Sequence, residues 1–112
     1  MADLALITVP IDTGIADVAA QAVAAAAGGD TALVGPHRFL YVANGDASSH
    51  TVTVATPGTV KGLAISDATL TVAAGDHGIL PLANVFRGAN GRAAITYDDV
   101  TSVTVAPFEL ET

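Results

Sequence analysis

Cysteine and tryptophan are missing from this sequence, and basic residues nearly so: Lys61, Arg38, Arg87 and Arg92 are the only fixed positive charges among 112 residues. Without a thiol there are no disulfides, thiolate metal sites or thiol nucleophiles, and no indication of redox compartment. Few cations stand against eleven acidic residues, for a formal charge of −7. That balance argues against nucleic-acid binding, which depends on basic groups that displace counterions from phosphates. It argues equally against a basic helix lying on a membrane. No apolar run approaches the roughly 20 residues that span a bilayer. "MADLALITVP" has neither the basic stretch nor the long apolar run of a secretory signal. Aromatic residues number five, two Tyr and three Phe, so Ala, Val, Leu and Ile must build a thin, closely packed core.

Charge of either sign is sparse, at 13% of residues against about a quarter in an average soluble domain. A lone domain with so little charge exposes much apolar surface, which implies burial against other subunits or a larger assembly. The length suits one compact domain. We divide it into an N-terminal arm with a first strand, residues 1–17, and a single β-sandwich domain, residues 18–112.

What the chain does have is alternation. "FLYVANG" and "HTVTVATP" flank the polar tip "DASS" and read as a hairpin. In the first strand Phe39 and Tyr41 share one face and Leu40 and Val42 the other. In the second, Val52 and Val54 oppose Thr51 and Thr53, the pattern of a half-buried antiparallel strand. "LALITVPI" (Leu4 to Ile11) reads as a strand or extended arm, with Pro10 favouring an edge or an end. Further strands are expected around Leu70 and Val72, from Ile79 to Leu82, in "AAITYDDV" and in "TSVTVAPFEL". "VAAQAVAAAA" (Val18 to Ala27) has the best helix propensity in the chain. It has no amphipathic stripe and stops at "GGD", so the β context favours an extended reading. About seven or eight short strands separated by turn signals describe an all-β, antiparallel β-sandwich, jelly-roll-like or Ig-like.

Chemistry is harder to place. His37, His50 and His77 have no metal-ligand spacing, and each reads as a half-exposed ring at a strand start or turn. Asp98 and Asp99 read as a solvated turn, since neighbours on a strand point to opposite faces. Asp12 and Asp17 lack the Gly and terminal Glu of an EF-hand loop. No serine lies in a GxSxG elbow, and "GANG" and "AAGDHG" read as turns rather than phosphate loops. We therefore expect no enzymatic activity, no catalytic residues, no cofactor and no metal. Tyr97 with Asp98 and Asp99 is the only cluster that a glycan-binding reading can use.

The order of segments resembles a family of small structural proteins of tailed bacteriophages. "AGGDT" (Ala27 to Thr31) precedes "FLYVANG", "SSHTVTV" follows, then "GLAISDATLTVAAG", and "ITYDDVTSVTVAPFEL" closes. The family has the corresponding layout "FLxVxNG", "SSxTVTV", "GLAVxDxTVTVPAG" and "VTITYSxVTSVTVAxLxL". The resemblance runs from about Ala24 to Leu110 and departs from the family at "DHGILPL" and in the Ala-rich start. It implies a capsid decoration (cement) protein on the outer capsid surface of the virion, a homo-oligomer with a trimer favoured, and the major capsid protein as partner. Neither nucleic acid nor membrane is an expected partner. The alternatives are a glycan- or receptor-binding head-fibre module and a minor head–tail joining component. For contacts with the capsid or other subunits we single out Leu4, Leu6 and Val9 of the arm, which could add to a neighbour's strand, and Phe86 and Arg87 of the Gly/Asn-rich loop. Phe86 reads either as an exposed anchor or as a cap on the end of the sandwich.

Overall fold

The structure, a computed structural model, describes residues 2–111; Met1 of the expected arm and Thr112 lie outside the described residues. Twelve β-strands are present among them, with three single 3-10 turns and no α-helix. In chain order they are β1 (Ala2–Asp3), β2 (Ile7–Val9), β3 (Val23–Ala24), β4 (Asp30–Leu33), β5 (Arg38–Asn44) and β6 (His50–Val54). The second half supplies β7 (Thr59–Val60), β8 (Leu63–Ala64), β9 (Ala68–Val72), β10 (His77–Pro81), β11 (Arg92–Tyr97) and β12 (Val103–Leu110). Among the described residues no helix is long and apolar enough to cross a membrane.

Two sheets form the sandwich. Sheet 1 has the order β1-β4-β11-β6-β9, and sheet 2 the order β10-β5-β12, with β12's far edge shared end to end by β3 and β2. From β3 onward the chain passes between the sheets six times. It crosses from β3 to β4, β4 to β5 and β5 to β6, keeps β6 and β9 in sheet 1, and continues alternating from β9 to β12. With β7 and β8 set aside, eight strands from β3 to β12 interleave as two Greek keys, the strand order of a jelly roll rather than of an immunoglobulin domain. The expected hairpin from Phe39 to Pro57 is one of these crossings. β5 and β6 do not pair with each other but lie in opposite sheets.

The interior between the sheets is aliphatic. Leu40, Val42, Val52, Val54, Leu82, Ala93, Ile95, Val103 and Val105 are buried there, and Phe86 is the only aromatic residue of that cluster at under a tenth exposed. The Ala-rich segment forms one 3-10 turn, Ala19–Gln21, and then extends into β3, where Ala24 and Val23 pair with Thr104 and Val105. Ala25 N–H donates to the Val103 carbonyl. Tertiary pairing with β12 thus overrides alanine's helix propensity over a segment too short to sustain a free helix.

The N-terminal arm belongs to the chain's own sandwich. β1 adds in parallel to β4, Leu4 N–H donates to Thr31 O, and β2 adds in parallel to β12. Leu4 is buried in the main core, since one arm closing an edge of each sheet carries the residue between its two strands inward.

Candidate functional site

Sheet 2 carries apolar side chains on its outer face as well as its inner one. Within β5, Leu40 and Val42 point into the core and Phe39, Tyr41 and Ala43 point out. The register aligns these with outward residues on both neighbours: Phe39 faces Phe108 and Pro81, and Tyr41 faces Ala106 and Ile79. Phe39 and Phe108 stack tilted with centroids 5.6 Å apart, and Tyr41 meets Phe108 edge-on at 6.2 Å. Tyr41 also stacks on His77 and shares a hydrogen bond with its Nδ1. Such pairs add about 0.5–1.5 kcal/mol beyond the area they bury.

Part of this face is covered. Ile7, Val9, Ile15 and Ala22 pack on it, so Tyr41, Ala106 and Phe108 are almost completely buried outside the sandwich proper. Beside this cover an apolar groove of about 330 Å³ stays open, lined by Val9, Ile15, Val18, Phe39, Tyr41, Ile79, Phe108 and Leu110. Ile79, on the free edge strand β10, is 60% exposed. Asp17 and Glu111 are exposed beside the lining residues Val18 and Leu110 in the chain, and Glu111 Oε1 accepts a 2.9 Å hydrogen bond from Ile11 N–H.

The residues expected to make contacts divide. Val9 lines the groove and Leu6 is half-buried. Leu4 and Phe86 are core residues: the arm's pairing buries Leu4, and the 3-10 turn Asn84–Phe86 packs the Phe86 ring against the core, as in the second of its two readings. Arg87 is exposed, with its guanidinium close to Gly91. Phe39, Tyr41, Phe108 and Ile79 were not singled out by sequence. Their common parity was visible, but β5 is apolar at both parities, so alternation alone did not say which side faced out.

The polar residues are structural pins. In "AGGDT", Gly29 N–H closes a turn on Ala26 O at 2.9 Å, and a Cβ at Gly29 would lie 2.6 Å from the Ile95 carbonyl oxygen. With φ at +94° as well, only glycine fits there. Asp30 is fully buried; its Oδ2 accepts from Tyr97 Oη at 2.7 Å and Ala26 N–H at 3.2 Å, while Oδ1 has no partner among the described residues. Burial, with the Asp30 carboxylate beside it, pushes the Tyr97 phenol well above its ordinary range. Asn44, also buried, donates to the Ser48 and Val72 carbonyls at 2.8 and 3.0 Å and accepts from Asp46 N–H at 3.0 Å.

His50 is buried at the start of β6, unlike the half-exposed ring expected, and lies between two loops. Its Nε2 is 2.8 Å from Asp46 Oδ2. Its Nδ1 is 3.3 Å from Asp98 Oδ1, within ion-pair reach but not aligned as a hydrogen bond. The hydrogen bond that His50 donates to Asp46, reinforced by the Asp98 charge against the cost of burial, raises His50's pKa. The same hydrogen bond lowers that of Asp46. Asp99 is lowered by hydrogen bonds from Thr101. Tyr97, Asp98 and Asp99 therefore address Asp30, His50 and Thr101 respectively and do not share a pocket. Among the described residues no three His, Asp or Glu side chains converge on a cation position.

Comparison with family models, curated proteins and solved structures finds no match for this chain.

Proposed function

We propose that the chain is a non-catalytic decoration protein of a tailed-bacteriophage capsid, seated on the outer surface of the head as a homo-oligomer and in contact with the major capsid protein. The observation that carries this reading is the one-sided character of a thin molecule. It measures 44 × 36 × 20 Å, and one broad face carries an open apolar groove beside a covered aromatic cluster while the other is lined with threonine. A contiguous apolar surface of this kind marks a protein-binding face. A slab that is apolar on one side is suited to being covered there by other subunits of a particle. The resemblance supports the same reading in a second way, because its motif residues Gly29, Asp30 and Asn44 all hold the scaffold in shape. A protein that binds by broad surface needs a rigid scaffold more than a reactive group.

The test is the copy number in purified particles from the protein's source, measured against the major shell protein. Hundreds of copies at a simple ratio to the shell subunit are expected. A handful would instead identify a fibre or joining component, and absence from particles would overturn the virion reading.

A further inference from the structure

Residues 57–66 leave the sandwich altogether. β7 and β8 pair only with each other, as a two-stranded ribbon around the turn Lys61–Gly62, both of whose residues have positive φ. The base is closed by Thr56 N–H donating to Asp67 Oδ1 at 2.9 Å. Val60 and Leu63 lie directly opposite each other, so their side chains share one face of the ribbon. They are 60% and 73% exposed. A two-stranded ribbon is marginal in water by itself, and this one places its largest apolar side chains next to its tip, beside the only lysine in the chain.

The groove on sheet 2 has the complementary character. It is apolar throughout, and the seven side-chain carbons of Val60 and Leu63 fit within its roughly 330 Å³ at interior packing density. Asp17 and Glu111, the chain neighbours of the lining residues Val18 and Leu110, are exposed, whereas Lys61 makes no ion pair among the described residues. The other cations are already engaged or remote from the ribbon: Arg38 pairs with Glu109 at 3.1 Å, and Arg92 donates to the Leu4 and Thr31 carbonyls. The ribbon grows from sheet 1 and the groove lies on the outer face of sheet 2, which points to a ribbon and a groove in different molecules.

We propose that copies of this chain associate head to tail, the β7–β8 ribbon of one copy entering the sheet 2 groove of the next with Lys61 against the acidic rim. The contact is heterologous, so it closes into a ring when the rotation between copies divides a full turn. It supplies a contact for the self-association in the reading above and does not depend on a capsid, because it is tested on purified protein and not on particles.

The experiment uses two variants that each disable one half of the contact. V60S/L63S removes the ribbon's apolar pair, and I79K places a cation at the groove. All three positions are exposed, so both variants retain the wild-type circular dichroism spectrum and melting temperature. By analytical ultracentrifugation the wild type is an oligomer, and each variant alone is a monomer at concentrations roughly tenfold or more above wild-type assembly. Mixed, the two form a 1:1 dimer, since one contributes an intact groove and the other an intact ribbon. K61E, which leaves the apolar pair in place, weakens assembly less, and more so at low salt. A monomeric wild type, variants that assemble normally, or a mixture that stays monomeric would each overturn the proposal; the copy number in particles is unaffected by any of these results.

Discussion

The two outer faces of the sandwich are built by the same alternation and have opposite characters. On sheet 1, Thr51 and Thr53 of β6, Thr69 and Thr71 of β9 and Thr96 of β11 point outward, while Val52, Val54, Val72 and Ile95 point in. Thr51 and Thr71 sit opposite each other with their hydroxyl oxygens 3.1 Å apart. On sheet 2 the equivalent outward positions hold Phe39, Tyr41, Phe108 and Ile79. Threonine fits a pleated sheet by its β-branch and meets water by its hydroxyl, so sheet 1 needs no covering. Sheet 2 needs one, and the chain provides only part of it through Ile15 and Ala22. The difference teaches that an all-β slab can be polar on one side and adhesive on the other without any departure from period-two patterning.

The largest effect that bears on this difference is expected from F108A. Removing a ring that is almost completely buried outside the sandwich should cost about 3–5 kcal/mol in urea unfolding, as large as an interior truncation. A cost below about 1 kcal/mol would show that the outer cluster is loosely held and that the comparison overstates it. Sheet 1 relies instead on polar pins along its inner side. Y97F takes the hydroxyl donor from a buried carboxylate and should cost about 1–3 kcal/mol, measured in the same way. A neutral result would remove the Asp30–Tyr97 hydrogen bond from the forces that hold β4 to the end of β11.

The pH dependence is expected to be smaller. His50 is held protonated above its ordinary 6.5, so its contribution is complete below that pH and is lost as pH rises through the raised value. Asp46 and Asp99 are held below their ordinary 3.8. They contribute above that value and lose their contribution as pH falls through the lowered ones. The melting temperature should therefore decline on the alkaline side of neutrality, and H50Q should flatten that decline and weaken the Asp46 part of the acid limb, leaving the part that Asp99 owes to Thr101. An unchanged alkaline limb in H50Q would exclude His50 as its source. Smallest of all, T51V on the solvated face should change stability by no more than about 0.5 kcal/mol. A larger gain in stability, or the onset of self-association through this face, would erase the contrast between the two sides.

Much of the fold could be read from local pattern. The alternation of "HTVTV" placed Val52 and Val54 inside, and the lack of aromatic residues correctly implied an aliphatic interior. "AGGDT" and "NG" marked turns, although the need for glycine at position 29 comes from the Ile95 carbonyl, which is 66 residues away in the chain and invisible locally. The hairpin that looked clearest was a crossing between sheets, because a tight polar tip specifies reversal of direction but not which sheet the returning strand joins. The arm was expected to be available to a neighbour. Parallel pairing with β4 and β12 drew it home instead, and that is a long-range choice with no local signal. Phe86 in its polar loop read equally as an anchor or as a cap, and one 3-10 turn packs it against the core.

By itself, then, the sequence determined an all-β chain with one thoroughly patterned sheet, few cations and little to build a reactive centre from, since these follow from residue type and a period of two. Tertiary structure alone decided which apolar parity of β5 and β12 faces outward, that the arm closes two edges of its own sandwich, and that a ribbon ending in Val60, Lys61 and Leu63 stands free of both sheets. The physical reason is that alternation specifies two faces for every strand, whereas inside and outside are assigned only when a second sheet packs against one of them.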